Sequence, residues 1–182
     1  SMLYSTEQLG YYSAGARLLE VPMIFITANV SKVFYRQISE DVNLHNKVLP
    51  KFVKISFSLL FVSGLIFSAL YSIAPQFSCF VFGSGYEVAG EYIKCLCLMY
   101  AIRMVATSFS GLFTIFGKQQ IELSLNIFLI VAASAVYMVS KRMDLPIITF
   151  MWLISISYSI VYLVLWVGYF SLCKSHDTSF KS

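Results

Sequence analysis

The sequence predicts an all-α fold: a polytopic membrane bundle of about five transmembrane helices. Three observations lead there. Hydrophobic residues make up 58% of the chain and charged residues 12%, about half the charged share usual in a soluble globular domain. Mean hydropathy is +0.76. The stretches Ile55–Ala74, Leu123–Ser140 and Leu145–Cys173 carry no charge at all, and each is near or above the ~20 residues that cross a bilayer core as a helix. Such a composition suits a protein whose outer surface is also apolar because its solvent is lipid.

The first segment, about Gly10–Ser39, has the weakest pattern, since Arg17, Glu20 and Lys32 leave only Val21–Ser31 free of charge. Pro22 inside it is expected to kink or loosen the helix, because a proline ring removes one backbone donor and crowds the preceding turn. The second span covers about Val53–Ala74, with Pro50 before it and Pro75 after it. Its Gly64, Ser68 and Ser72 recur every four residues, a small-residue pattern that permits close helix approach. Gly83-Ser84-Gly85 then marks a turn into the third span, about Tyr92–Phe116, which holds Arg103 in its interior and ends at Gly117. The fourth and fifth spans cover about Glu122–Ser140 and Pro146–Cys173. The chain thus divides into a bundle over 1–174 and a polar, disordered tail over Ser175–Ser182.

Alternation of the spans puts the first and third loops on one side with the C-terminus. That side carries Arg36, Lys47, Lys51, Lys54, Lys118, Lys174 and Lys181, against Lys94, Lys141 and Arg142 on the other. Cytoplasmic loops of membrane proteins are enriched in lysine and arginine, so the C-terminus is expected in the cytoplasm. Residues Ser1–Leu9 then lie outside, and the chain reads as the C-terminal part of a longer protein. Its N-terminus lacks the charged and apolar regions of a cleavable signal peptide. The net charge of +4 comes from clusters at span ends, which is a topology signal and argues against a nucleic-acid partner.

Polar groups at membrane depth are costly and draw attention as functional candidates. The first span carries Ser13, Arg17, Glu20, Thr27 and Ser31 along one face, and the third carries Arg103, Thr107, Ser110 and Thr114. The two stripes either line a hydrated cavity or pair with each other. Arg17 has a local alternative, an ion pair with Glu20 or an excursion to the interface. Arg103 sits roughly eleven residues, or about 16 Å, inside its span, with no carboxylate near it on that helix. Lys118 and Glu122 are spaced for a surface pair. Tyr158, Tyr162, Trp166 and Tyr169 make an aromatic face on the last span, suited to an interfacial belt or, less simply, to stacking on sugars. Cys95 and Cys97 point to different faces with no further ligand nearby, so they read as inert packing residues, and no metal or cofactor is expected. His45 falls in the first loop and His176 in the tail, both away from membrane depth, and no catalytic motif occurs. The expected action is movement, with no enzymatic step.

The stretch Gly10-Tyr11-Tyr12-Ser13-Ala14-Gly15-Ala16-Arg17-Leu18-Leu19-Glu20, continuing Val21-Pro22-Met23-Ile24-Phe25-Ile26, resembles a recurring segment of the Wzx-type O-antigen and polysaccharide flippases. These belong to the oligosaccharidyl-lipid/polysaccharide flippase superfamily. Phe34 and Ile38 fall where family members often show an F-P-x-[LI]-like helix end, although Tyr35 and Arg36 replace the proline region here. Phe82-Gly83-Ser84-Gly85-Tyr86 and Gly117-Lys118-Gln119 are similar to two later turns of that family, in the same order.

The resemblance implies the last five of about twelve spans, and hence most of one of two bundles that face each other across a cavity. The whole transporter would flip a polyprenyl-pyrophosphate-linked oligosaccharide, the repeat unit of O-antigen in lipopolysaccharide or of another polysaccharide, across the bacterial inner membrane by alternating access. Its partners would be that lipid-linked substrate, membrane lipid, the missing N-terminal bundle and other polysaccharide assembly proteins. Arg17 and Arg103 would meet the pyrophosphate, Thr27, Thr107, Ser110 and Thr114 would offer hydroxyls, and Glu20 would orient Arg17 or carry a coupling proton. The competing readings are a MATE-type exporter of organic cations, a polytopic polysaccharide polymerase or ligase, and a free-standing five-span scaffold.

Overall fold

A computed structural model describes residues 5–179. The described chain is an all-helical membrane bundle with five helices long and apolar enough to span a bilayer. Helix α1 (Thr6–Asn43) starts with a capping box: the Ser5 hydroxyl accepts from Gln8 N at 3.2 Å, and Ser5 N donates to the Gln8 side chain at 3.2 Å. Two of the donors that every helix start leaves open are thereby satisfied. Pro22 lies within α1, which continues through it as one helix. At 38 residues, α1 is about 57 Å long at helical rise, well beyond a bilayer core.

Helix α2 (Leu49–Phe82) includes Pro75, so this proline lies inside the second span, where the sequence reading placed it after the span. The α2–α3 turn uses two glycines at positive φ, Gly83 at 98° and Gly85 at 121°. Helix α3 (Glu87–Thr107) and the short α4 (Gly111–Ile115) together form the third span. Helix α5 (Gln119–Met143) follows, and Asp144 in the left-handed region ends it. Helix α6 runs Ile147–Ser179. Ser175–Ser179, expected in a disordered tail, therefore continue the last helix, and 180–182 lie outside the described residues.

Helix α3 is the axis of the bundle, packed by α1, α2 and α6, while α5 rests on α6 at the periphery. In lipid, apolar burial does not drive helix association; close backbone approach and side-chain packing do. Phe52, Ser56, Leu59, Ser63, Phe67, Ala74 and Ser78 are the enclosed residues along α2. Gly64, Ser68 and Ser72 are exposed, and a side chain built at Gly64 would meet nothing within 4 Å. The small-residue face expected to pack is thus the outward one.

The close approach occurs at Pro75 and Gly90. A Cβ at Gly90 would lie 2.4 Å from Pro75 Cα and 2.9 Å from Ala74 C. The helix that lacks an N–H at this level meets the residue that lacks a side chain.

The end of the bundle with the α1–α2 turn is tied by polar contacts. Asp177 of α6 accepts from Val48 N at 2.8 Å and Leu49 N at 3.1 Å, capping α2 from 128 residues away in sequence. Lys51 pairs with the nearly buried Asp41, which also accepts from the Asn46 side chain at 3.4 Å. No Lys118–Glu122 bridge forms among the described residues.

Candidate functional site

The third span is interrupted near its most costly side chain. Ser108, Phe109 and Ser110 leave the α-helical pattern. Phe109 N bonds Ala106 O at 3.2 Å, Ser110 N bonds Thr107 O at 3.3 Å, and Leu112 N bonds Phe109 O at 3.0 Å. These are tighter i→i−3 turns, which recur at functional hinges when they fall inside a span. The local sequence supplies a cause. The Thr107 hydroxyl donates to Arg103 O at 2.7 Å and the Ser108 hydroxyl to Met104 O at 2.8 Å, and such back-bonding competes with the helical ladder and bends it.

The interruption is held firmly. Phe109 is fully buried, with its ring 4.8 Å from Phe34 and 4.7 Å from Phe52. Gly111 restarts the helix against Tyr35, whose ring carbon would lie 2.6 Å from a Cβ there.

One to two turns before the break, α3 presents Arg103 and Tyr100 towards α1. Arg103 Nη1 is 4.0 Å from Glu20 Oε1, and the Tyr100 hydroxyl donates to the same oxygen at 3.4 Å. The guanidinium carbon also sits 5.5 Å from the Tyr100 ring centre, within cation–π range. Tyr12 of α1 and Tyr162 of α6 are near enough to interact with Arg103, and Tyr158 with both of them.

Three helices therefore converge on one cation at membrane depth. The pairing is loose, since charge-assisted contacts between arginine and carboxylate are normally 2.7–2.9 Å and often bidentate. Arg103 Nε is buried without a hydrogen-bond partner, and the Arg103 and Glu20 side chains remain 31% and 40% exposed. A guanidinium so placed has spare donors and an open approach.

The residues singled out from sequence divide accordingly. Glu20 and Arg103 meet, as the pairing alternative for the two stripes foresaw, and Glu20 forms no bridge with Arg17. Arg17 is exposed on α1, outside the cluster. Thr27 is half-buried, with its hydroxyl oxygen enclosed and unpartnered. Thr107 is half-buried and its hydroxyl is committed to the backbone. Ser110 is half-buried and lies in the break itself, and Thr114 is exposed on α4.

Tyr12 and Tyr100 carry no signal in the sequence, while Tyr158 and Tyr162 read there as part of an aromatic face suited to an interfacial belt or to sugar stacking; Tyr162 and Tyr169 are buried and Tyr158 half-buried. Their three- and four-residue spacing was the available signal, but a lipid-facing belt shows the same spacing. An apolar crevice on a different face of α3, lined by Leu60, Ile102, Val105, Leu163 and Trp166, offers no charged group. The free cysteines Cys95, Cys97 and Cys173 are buried and Cys79 is half-buried. Among the described residues no group of three metal-ligating side chains occurs. Compared with protein-family models, curated proteins and solved structures, the chain matches none of them.

Proposed function

We propose that this multi-pass membrane protein is one bundle of a transporter that flips polyprenyl-pyrophosphate-linked oligosaccharide across the bacterial inner membrane, with its C-terminus in the cytoplasm. The observation that carries the reading is Arg103: a cation held at membrane depth, loosely paired, beside a break in its own helix. Transporters commonly place their sites at interrupted helices near the midplane. Arginine is the side chain best suited to bidentate recognition of phosphate oxygens. The resemblance of Gly10–Ile26 and the two later turns to Wzx-type flippases supplies the substrate class. The exposed Arg17 on α1 is a further reason to place a hydrated cavity and a second bundle against this face, since a charge turned to lipid is costly.

A MATE-type exporter of organic cations would want an unengaged carboxylate at this depth, and Glu20 instead faces Arg103. Arg103→Ala should abolish polysaccharide export while leaving the protein in the membrane at normal abundance. Arg103→Lys should keep part of the activity, because charge survives and bidentate geometry does not. Normal export by Arg103→Ala would remove the basis of the proposal.

A further inference from the structure

We infer that Glu20 is a displaceable stand-in for a phosphate-type anion on Arg103, within a box completed by the hydroxyls of Tyr12, Tyr100, Tyr158 and Tyr162; the inference rests on the transport reading above. A guanidinium carries five N–H donors and no acceptor. Here it has one carboxylate oxygen at 4.0 Å, an aromatic face at 5.5 Å, the Tyr162 hydroxyl within hydrogen-bonding reach of the guanidinium and a buried Nε without a partner. A purely structural ion pair at this depth is expected to close to bidentate contact, because each unmet donor is costly away from water.

Glu20 does not close, for a geometric reason. Its near oxygen is shared with the Tyr100 hydroxyl, and its carboxylate reaches from a different helix. It thus satisfies the charge of Arg103 without satisfying its donors. A pyrophosphate-type anion has more oxygens and a tetrahedral spread of them. It would take the guanidinium edge with two oxygens and leave others for the tyrosine hydroxyls on α1, α3 and α6. Glu20 would then turn to the open side, where it is already 40% exposed. The i→i−3 turn at Ser108–Ser110 gives α3 a place to adjust one turn away.

The test is titration calorimetry on the purified chain in detergent, with inorganic pyrophosphate in one arm and a prenyl pyrophosphate in the other. Glu20→Gln keeps the shape and removes the competing charge, and it should tighten binding of both probes roughly fivefold to tenfold, the scale of one partly solvated ion pair. Tyr100→Phe removes one hydroxyl of the box and frees Glu20 to close on Arg103, so it should weaken binding of both probes about twofold. Arg103→Gln should remove binding.

Equal affinity for the two probes supports a site for the phosphate chemistry itself, and tighter binding of the prenyl form supports a lipid headgroup as its source. If Glu20→Gln binds no more tightly than the parent chain, the stand-in role is overturned while the transport reading stands. If no form binds either probe, both the stand-in role and the anion-binding basis of the transport reading are overturned.

Discussion

Replacing Gly90 with alanine tests the geometry at the centre of the bundle. The new Cβ would sit 2.4 Å from Pro75 Cα and 2.6 Å from Pro75 N. Ordinary contact begins at about 3.4 Å, so α2 and α3 must separate by about 1 Å at this crossing. The obstacle is backbone, which has no rotamer through which to escape. Forced overpacking of this kind costs about 1–3 kcal/mol, and the upper half applies here because two long helices must shift together.

Alanine is a better helix former than glycine by about 1 kcal/mol, which offsets part of the loss. A net destabilisation of about 1–2 kcal/mol follows, or roughly 2–8 °C in melting temperature for a chain of this size. Thermal unfolding in a mild detergent, followed by tryptophan fluorescence or by monodispersity on size exclusion, measures it. Gly64→Ala is the control: it meets no atom within 4 Å and should melt at or slightly above the parent temperature. If Gly90→Ala is as stable as Gly64→Ala, the close crossing of α2 and α3 is wrong.

Two further outcomes follow from the ends of the bundle. Single cysteines at Ser179 and Gly85, in a background without native cysteines, should label from the cytoplasmic and the periplasmic side respectively; the reverse pattern would overturn the proposed orientation. Asp177→Ala should release the cap on α2 at a cost of about 1 kcal/mol, raising hydrogen exchange at the Val48 and Leu49 amides roughly fivefold, whereas unchanged exchange would show that the carboxylate does not hold them.

Composition and spacing are enough to set the solvent of this protein and the number of its spans. Both depend on quantities that add along the chain: uncharged length, and the punctuation of Gly83, Gly85, Gly117 and Pro146. The charge stripes on the first and third spans were legible too, because helical spacing maps sequence directly onto a face. Which stripe met which was not. Glu20 and Arg103 are far apart in sequence, and only the crossing of α1 over α3 brings them to 4.0 Å.

The same limit applied to packing. Gly64, Ser68 and Ser72 carry the local signature of a packed face, and Ser56, Ser63 and Ala74 carry a similar one on another side of the same helix. In lipid both faces are apolar, so composition cannot say which looks inward. The match of Pro75 to Gly90 decides it, a contact between helices that no spacing rule on either one contains. The break in the third span lay between these cases: Thr107 and Ser108 have the chemistry to loosen a helix, but burial of Phe109 against Phe34 and Phe52 is what holds the interrupted form.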